Sequence, residues 1–101
     1  MDIFTALAVP TRRNIIEMLA KKGRLSATDI CEQFKISPPA ISQHLKILKQ
    51  VKLVQVEKQG QLRMYEINLK GMREFEKWSK KMTDLWSKRF DALDEVLANH
   101  K

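Results

Sequence analysis

Cysteine, glycine and proline are all scarce in this 101-residue sequence, which has one cysteine, three glycines and three prolines. The single cysteine, Cys31, excludes an intramolecular disulfide and is typical of a reducing compartment. The first residues lack the basic and apolar segments of a signal peptide. No apolar run approaches the roughly 20 residues that span a bilayer. We therefore expect a soluble, cytoplasmic protein with no membrane partner.

The sequence also lacks the residue groupings of common enzymes. It has no Ser/His/Asp or Cys/His grouping, no glycine-rich phosphate loop and no convergent pair of carboxylates. A zinc site needs three or four ligands, and Cys31, His44 and the tail residue His100 are the only thiol and imidazole groups. We therefore expect no catalytic residues, no cofactor and no metal ion.

Acidic residues are the minority, because 19 Lys and Arg face 12 Asp and Glu and give a net charge of +7. The excess is concentrated in residues 35–63, where Glu57 is the one acidic residue. The basic residues of this stretch are Lys35, Lys46, Lys49, Lys52, Lys58 and Arg63. A positive field confined to the middle of a chain predicts a polyanionic partner and favours nucleic acid.

Helix signals divide the first 50 residues into four short helices. Asp2 is a candidate N-cap for a helix that reaches Ala8, and a second helix begins at Pro10 and ends at Gly23.

The third and fourth helices are separated by a very short turn. Ser26 caps the third helix, and Asp29 can complete a capping box. Ser37 and Pro38 begin the fourth helix, which runs to about Gln50. Two short helices joined so tightly predict a helix-turn-helix.

The hydrophobic period changes to two after the fourth helix. Residues 53–57 and 62–67 are β-prone, and Gln59-Gly60 supplies a turn between them, which predicts a basic hairpin, or wing. One amphipathic helix of roughly 28 residues, about 42 Å long, then runs from about Lys70 to Ala98.

The predicted fold is therefore mainly α with a β-hairpin wing: a winged helix-turn-helix with a long C-terminal dimerisation helix. We expect residues 1–70 to form the DNA-binding domain and residues 71–101 to form a dimerisation helix packed on the same domain.

Polar and basic side chains cover the face of the fourth helix that lies away from Ile41, Leu45 and Leu48. Such groups can read base edges and bind phosphates, although the same pattern also fits an ordinary solvated face. The tight turn before the helix and the hairpin after it favour DNA. The predicted DNA contacts of this helix are Ser37, Pro39, Ala40, Ser42, Gln43, His44, Lys46 and Lys49. Those of the wing, where the alternative is a solvated turn, are Lys58, Gln59, Gln61 and Arg63.

Several residues keep two interpretations. His44 binds either a phosphate or the protein's own backbone, and Arg12 and Arg13 either touch the DNA backbone or face water. Cys31 is either a small core residue or a reactive thiol.

Aromatic and aliphatic side chains recur along a terminal helix that is too long for its own domain to cover. They predict a subunit interface, with a ligand pocket as the alternative. The predicted interface residues are Phe4, Leu7, Trp78, Met82, Leu85, Trp86, Phe90 and Leu93.

Three blocks of this sequence resemble the ArsR/SmtB family of winged-helix repressors. They are residues 10–19 (PTRRNIIEML), residues 37–48 (SPPAISQHLKIL), and Gly60 with Arg63 and Tyr65. The middle block is the most specific, and the resemblance covers roughly residues 3–67. It implies a homodimer, joined through the first and last helices, on a pseudo-palindromic operator in double-stranded DNA that an inducer releases. It assigns base contacts to Pro39, Ser42 and Gln43 and backbone contacts to the wing.

The chain departs from the family pattern at several positions. Residues 26–28 (SAT) stand where the family's thiolate metal site has Cys-x-Cys, and residues 71–98 lack the histidines of its other common metal site. Val9 replaces an Asp or Ser. Lys52 replaces a glycine, which implies a left-handed backbone at Lys52 on the way into the wing.

These observations predict a sequence-specific, repressor-type homodimer without a metal-sensing site. The alternatives are a non-specific architectural DNA-binding protein and a winged helix that docks on another protein. Regulation would then come from a small-molecule effector among the aromatics of the terminal helix, from oxidation of Cys31, or from cellular concentration alone.

Overall fold

The computed structural model of the protein describes residues 1–99, and His100 lies outside the described residues. The elements follow in this order: α1 (Ile3–Leu7), α2 (Pro10–Lys22), β1 (Leu25–Ser26), α3 (Ala27–Gln33), α4 (Pro38–Gln50), β2 (Val54–Gln59), β3 (Leu62–Ile67) and α5 (Leu69–Asn99). Winged helix-turn-helix architecture is confirmed, with α3 and α4 as the helix-turn-helix, the β2–β3 hairpin as the wing and α5 as the long C-terminal helix.

The predicted capping residues begin and end the helices. Asp2 accepts a hydrogen bond from the backbone N–H of Thr5 at 2.8 Å, and Gly23 ends α2 with a φ of 80°. Ser26 and Asp29 form the reciprocal bonds of a capping box at the start of α3. These bonds satisfy N–H groups that have no partner inside a helix.

One hydrophobic core holds α1 to α4 against the sheet. Its largest fully buried side chains are Ile15, Leu19, Ile30, Ile41, Leu45, Leu48, Leu53 and Val54. The inward stripe predicted for α4, Ile41, Leu45 and Leu48, belongs to this set. The rotation of α4 about its axis is therefore fixed, because these three side chains must face the core.

The sheet is larger than the predicted hairpin, because β1 pairs with β3 and gives the strand order β1-β3-β2. The turn of the hairpin also lies one residue later than predicted. Gln59 pairs with Leu62, which leaves Gly60 and Gln61 as a two-residue loop. Gly60 has a φ of 61° and Gln61 has no positive φ, which fits a type II′ turn with glycine at its first central position.

The long helix α5 has 31 residues and extends the described chain to 68 Å along its longest axis. Its first turns contact the domain, where Met72 packs against the core. Within residues 1–99, no helix combines the length and the apolar character needed to cross a membrane.

A backbone junction connects the end of α4, the start of the wing and the start of α5. Lys52 has a φ of 63°, which confirms the left-handed conformation that the family's glycine implied. The N–H of Gly71 donates to the carbonyl oxygen of Lys52 at 3.1 Å. A Cβ at position 71 would overlap that carbonyl, so the close approach of α5 requires glycine.

We predict that Lys52→Gly leaves the protein equally stable or more stable. A non-glycine residue in the left-handed region costs about 1 kcal/mol, which glycine avoids at this position. For a domain of this size that difference corresponds to an increase of up to about 4–8 °C in melting temperature. The measurement is thermal unfolding at equal protein concentration.

The control for this measurement is Lys52→Ala, which removes the same side chain and keeps the strained backbone. A melting temperature lower for Lys52→Gly than for Lys52→Ala would contradict the prediction of strain.

Candidate nucleic-acid interface

The exposed face of α4 is set by its first turn and by its buried stripe. Ser37 caps the helix with its Oγ, which accepts a hydrogen bond from the N–H of Ala40 at 3.4 Å, and Pro38 occupies the first turn. With the apolar stripe buried, Ser42 and Gln43 are exposed. Lys46 and Lys49 are exposed as well, so α4 presents a polar and basic surface along its length.

A groove of about 560 Å³ separates α4 from the wing. Ser42, Gln43, Lys46 and Lys49 line it from α4, and Lys58 and Arg63 line it from the hairpin. The structure therefore brings together six of the predicted DNA-contact residues, from two elements, around one concave surface. Four of the six are cations.

Lys58 and Arg63 are directly opposite each other on the paired strands β2 and β3. Both are exposed, and neither has a hydrogen-bond or ion-pair partner among residues 1–99. Like charges in opposite positions destabilise an antiparallel pair by a few tenths of a kcal/mol up to about 1 kcal/mol. A polyanion in the groove would remove this repulsion.

The acidic residue of this basic stretch is neutralised on the other side of the hairpin. Glu57 forms an ion pair with Arg24, which lies in the loop before β1. Side chains alternate between the two faces of a strand, so Glu57 points away from the face that carries Lys58. The positive potential of the groove is thus not reduced by Glu57. The sequence analysis did not find the pairing of Arg24 with Glu57, because the two residues are 33 positions apart in sequence.

Four further predicted DNA contacts lie outside the lining of the groove. Gln59 and Gln61 are exposed at the tip of the hairpin, and Pro39 and Ala40 lie in the first turn of α4. None of these four lines the groove itself.

Arg12 and His44 meet on the flank of α4 that faces α2. The Nε of Arg12 donates a hydrogen bond to the Nδ1 of His44 at 3.2 Å, and its Nη1 contacts the Sδ of Met1 at 3.6 Å. Arg12 is only 9% exposed, so of its two interpretations the one in which it faces water is wrong. His44 bonds to a side chain rather than to the protein's backbone. Burial, and then the positive charge of Arg12, lower the pKa of His44 below its usual value, which favours the neutral ring.

The predicted interface residues fall into two groups along α1 and α5. Near the domain, Phe4 packs against Phe75 and Trp78 with ring centroids 5.9 and 4.7 Å apart, and Leu7 packs on the core of its own chain. Farther along α5, Trp86 stacks on Phe90 at 5.8 Å. These distal side chains are exposed, Trp86 by 54%.

The apolar side chains of distal α5 continue the stripe that begins on the domain. At 100° per residue, Met82, Trp86, Phe90, Leu93 and Leu97 follow Met72 and Phe75 on one side of the helix. Leu85 lies at the edge of this stripe. The distal half of the stripe is therefore a contiguous exposed apolar surface.

Two further observations bear on ligands. A cavity of about 390 Å³ lies at the base of α5, and its lining includes Phe4, Phe75, Trp78, Lys52 and Glu74. Cys31 is half-buried and packs against the core, as expected for a small core residue. Among residues 1–99, no three His, Cys, Asp or Glu side chains converge as a metal-binding group.

Comparisons with known proteins identify the family. Residues 9–56 match the family described as "Bacterial regulatory protein, arsR family". The chain is 40% identical over 77 residues to the transcriptional repressor SdpR of Bacillus subtilis. This match covers 76% of this chain and 84% of SdpR. It is 42% identical over 67 residues to the HTH-type transcriptional regulator Rv2034 of Mycobacterium tuberculosis, covering 66% of this chain and 62% of Rv2034.

Solved structures agree with this assignment. The crystal structure of the ArsR family transcriptional regulator RHA00566 superposes with a TM-score of 0.76 at 28% identity, covering 84% of this chain and 87% of that chain. The chain therefore belongs to the ArsR family of bacterial regulatory proteins and is a winged helix-turn-helix, DNA-binding regulator of transcription.

Proposed function

We propose that the protein is a sequence-specific repressor that binds a pseudo-palindromic operator as a homodimer. The observation that carries this proposal is the groove in which four cations without acidic partners among residues 1–99 face one another across α4 and the wing. A regulator rather than an enzyme fits this surface and the family. The relative SdpR, described as a transcriptional repressor, supports the direction of regulation.

Within this proposal, the exposed face of α4 enters the major groove. Gln43 can pair bidentately with adenine, and Ser42 can bond to either kind of base. Pro39 and Ala40 offer apolar contact to a thymine methyl. Lys46, Lys49, Lys58 and Arg63 bind phosphates, and Gln59 and Gln61 at the hairpin tip contact the backbone or the minor groove.

We predict that Gln43→Ala and Lys58→Ala weaken DNA binding in different ways. Gln43→Ala should cost about 1–3 kcal/mol on the operator and relax base preference, whereas Lys58→Ala should weaken all sequences alike. Because a dimer would neutralise roughly 6–10 phosphates, wild-type affinity should fall by roughly 10³–10⁵-fold between 50 and 200 mM salt. The measurement is a binding titration on a mapped operator and on random duplex, at several salt concentrations.

The same titration separates the alternatives. Equal loss on operator and random DNA for Gln43→Ala would contradict base reading by α4. Wild-type affinity that is the same for both duplexes would indicate an architectural DNA-binding protein. An absence of DNA binding at ~150 mM salt would favour a protein-docking winged helix.

We further propose that residues 71–101 supply the dimer contact and that residues 1–70 supply the DNA contact. Half-site spacing then follows from where the two copies of α5 meet. The exposed distal stripe of Leu85, Trp86, Phe90, Leu93 and Leu97 is the support for this proposal.

We predict that Trp86→Ala shifts the protein toward monomer and weakens operator binding. Removing a buried tryptophan typically costs about 3–5 kcal/mol, and we expect Trp86 to be buried in the dimer. Trp86 is half exposed in the single chain, so its removal should affect association more than folding. The measurement is sedimentation over a range of protein concentrations.

Lys88→Ala, two residues away and on the opposite side of α5, is the matched control and should remain dimeric. If Trp86→Ala sediments like the control, the aromatic side chains of α5 serve another purpose, such as a ligand pocket.

We propose that metal binding does not release the DNA. Tight Zn²⁺ binding needs three or four converging ligands, and carboxylates on α5 without imidazole or thiolate partners would bind divalent ions weakly. The cavity lined in part by Phe4, Phe75 and Trp78 could hold a small-molecule effector, which supports the second role considered for the aromatic side chains of α5. Oxidation of Cys31 and control by cellular concentration alone are the other two routes of regulation.

The prediction for metals is that Zn²⁺, Ni²⁺, Cd²⁺ and arsenite leave the operator complex intact when they are titrated into it. Micromolar metal binding that releases the DNA, and that Cys31→Ser or His44→Ala abolishes, would contradict it.

A further inference from the structure

We propose that Arg12 is a positioning residue for DNA binding, which holds neutral His44 in the tautomer whose Nε2–H donates to a DNA phosphate. The inference rests on the proposed function, and it assigns a role to a buried residue outside both α4 and the wing.

The tautomer of His44 follows from the chemistry of its partner. A guanidinium is always protonated and has no acceptor, so Arg12 can only donate to His44. The Nδ1 at 3.2 Å from the Nε of Arg12 must therefore carry a lone pair. The single proton of the neutral ring is then on Nε2. The lowered pKa of His44 agrees with a neutral ring.

The proton on Nε2 is available to a ligand. Among residues 1–99, Nε2 of His44 has no hydrogen-bond partner, and it is not enclosed by protein. At 100° per residue, His44 lies about 160° around α4 from the groove residues Ser42 and Lys46, and about 100° from Gln43 at the edge of the groove. The donor therefore stands on the flank of α4 opposite the wing groove, beside the face that we assign to base reading.

The charge of Arg12 indicates that the ligand is an anion. Arg12 is 9% exposed, and no Asp or Glu of residues 1–99 forms an ion pair with it. A buried cation without a counter-ion is unfavourable, because it loses hydration and gains no opposite charge. A phosphate that accepts from His44 would lie close to this guanidinium and supply the missing charge. DNA phosphates would then flank α4 on both sides, at the wing groove and at the Arg12–His44 pair.

The first experiment reads the tautomer directly. Long-range ¹H–¹⁵N correlation spectra of the wild-type protein near neutral pH, with His44→Gln used to assign the two histidines, should show His44 as one tautomer protonated at Nε2. Arg12→Met should show a mixture of both tautomers. A mixed population in the wild-type protein, or an unchanged ring in Arg12→Met, would overturn the inference.

The second experiment measures the consequence for DNA. Phosphate contacts are independent of sequence, so the probe is a duplex of about 30 base pairs with arbitrary sequence at low salt. Arg12→Met should lose roughly 10-fold in affinity or more, because a hydrogen bond to a charged group contributes that much. The matched control is Arg13→Met, which removes the same charge from the exposed neighbouring residue and should lose less.

A double-mutant cycle separates positioning from simple charge or structure. In a His44→Ala background, Arg12→Met should have a smaller effect than in the wild-type background, because only the attraction between the charge of Arg12 and the phosphate is then lost. His44→Gln, which keeps a side-chain donor, should bind better than His44→Ala. Arg12→Lys keeps both a donor and a cation and should restore most of the binding if Arg12→Met folds poorly. Equal effects of Arg12→Met with and without His44 would overturn the inference.

The outcomes distinguish this inference from the proposed function. If the wild-type protein binds no duplex, the proposed function and the phosphate contact both fail. If the wild-type protein binds DNA normally but Arg12 and His44 are not coupled, the inference alone fails. Coupling that appears on one base sequence and not on others would show that His44 contacts a base edge, which also overturns it.

Discussion

Burial of one stripe of α4 decides what the rest of the molecule can present to a partner. Ile41, Leu45 and Leu48 occupy the core and fix the helix in rotation about its axis. Each remaining side chain of α4 then has a determined direction, with Gln43 outward, Lys46 toward the wing and His44 toward α2. A substitution that loosens the core packing of α4 would therefore weaken DNA binding indirectly. It would let the helix rotate and misplace the contact residues without changing any of them.

The charges of the groove and its surroundings destabilise the free protein. Cations line both walls of the groove, Lys58 and Arg63 repel each other across the hairpin, and Arg12 is buried without an acid among residues 1–99. Each arrangement is unfavourable alone and becomes favourable beside phosphates. The one acid of the basic stretch, Glu57, is engaged with Arg24 on the other face. The charge distribution is thus matched to a bound state rather than to the isolated chain.

Local signals account for the parts of the fold that sequence could predict. The caps at Asp2, Ser26 and Ser37 depend on residues within three positions, and the stripes of α4 and α5 depend on helical spacing. The left-handed Lys52 came from the family pattern, because the residue itself disfavours that conformation. These features need no knowledge of which elements meet in space.

Apart from the one-residue error in the hairpin turn, the features that the sequence missed depend on long-range contacts. Strand β1 has two residues and exists because β3 lies beside it, so no local period could mark it. The contact of Arg24 with Glu57 and that of Arg12 with His44 each join residues more than 30 positions apart. Likewise, composition showed an excess of cations, while their convergence from α4 and the wing onto one groove required the fold.

The junction at Lys52 and Gly71 connects α5 to the part of the domain that carries α4 and the wing. The carbonyl of Lys52 accepts from Gly71, and the carbonyl of Leu53 accepts from the N–H of Asn68, so the base of α5 is bonded to the segment that joins α4 to the wing. Gly71 has no room for a side chain, which leaves little freedom for α5 to slide there. The same segment joins α4 to β2, so the two elements that line the groove and the base of α5 share one backbone junction.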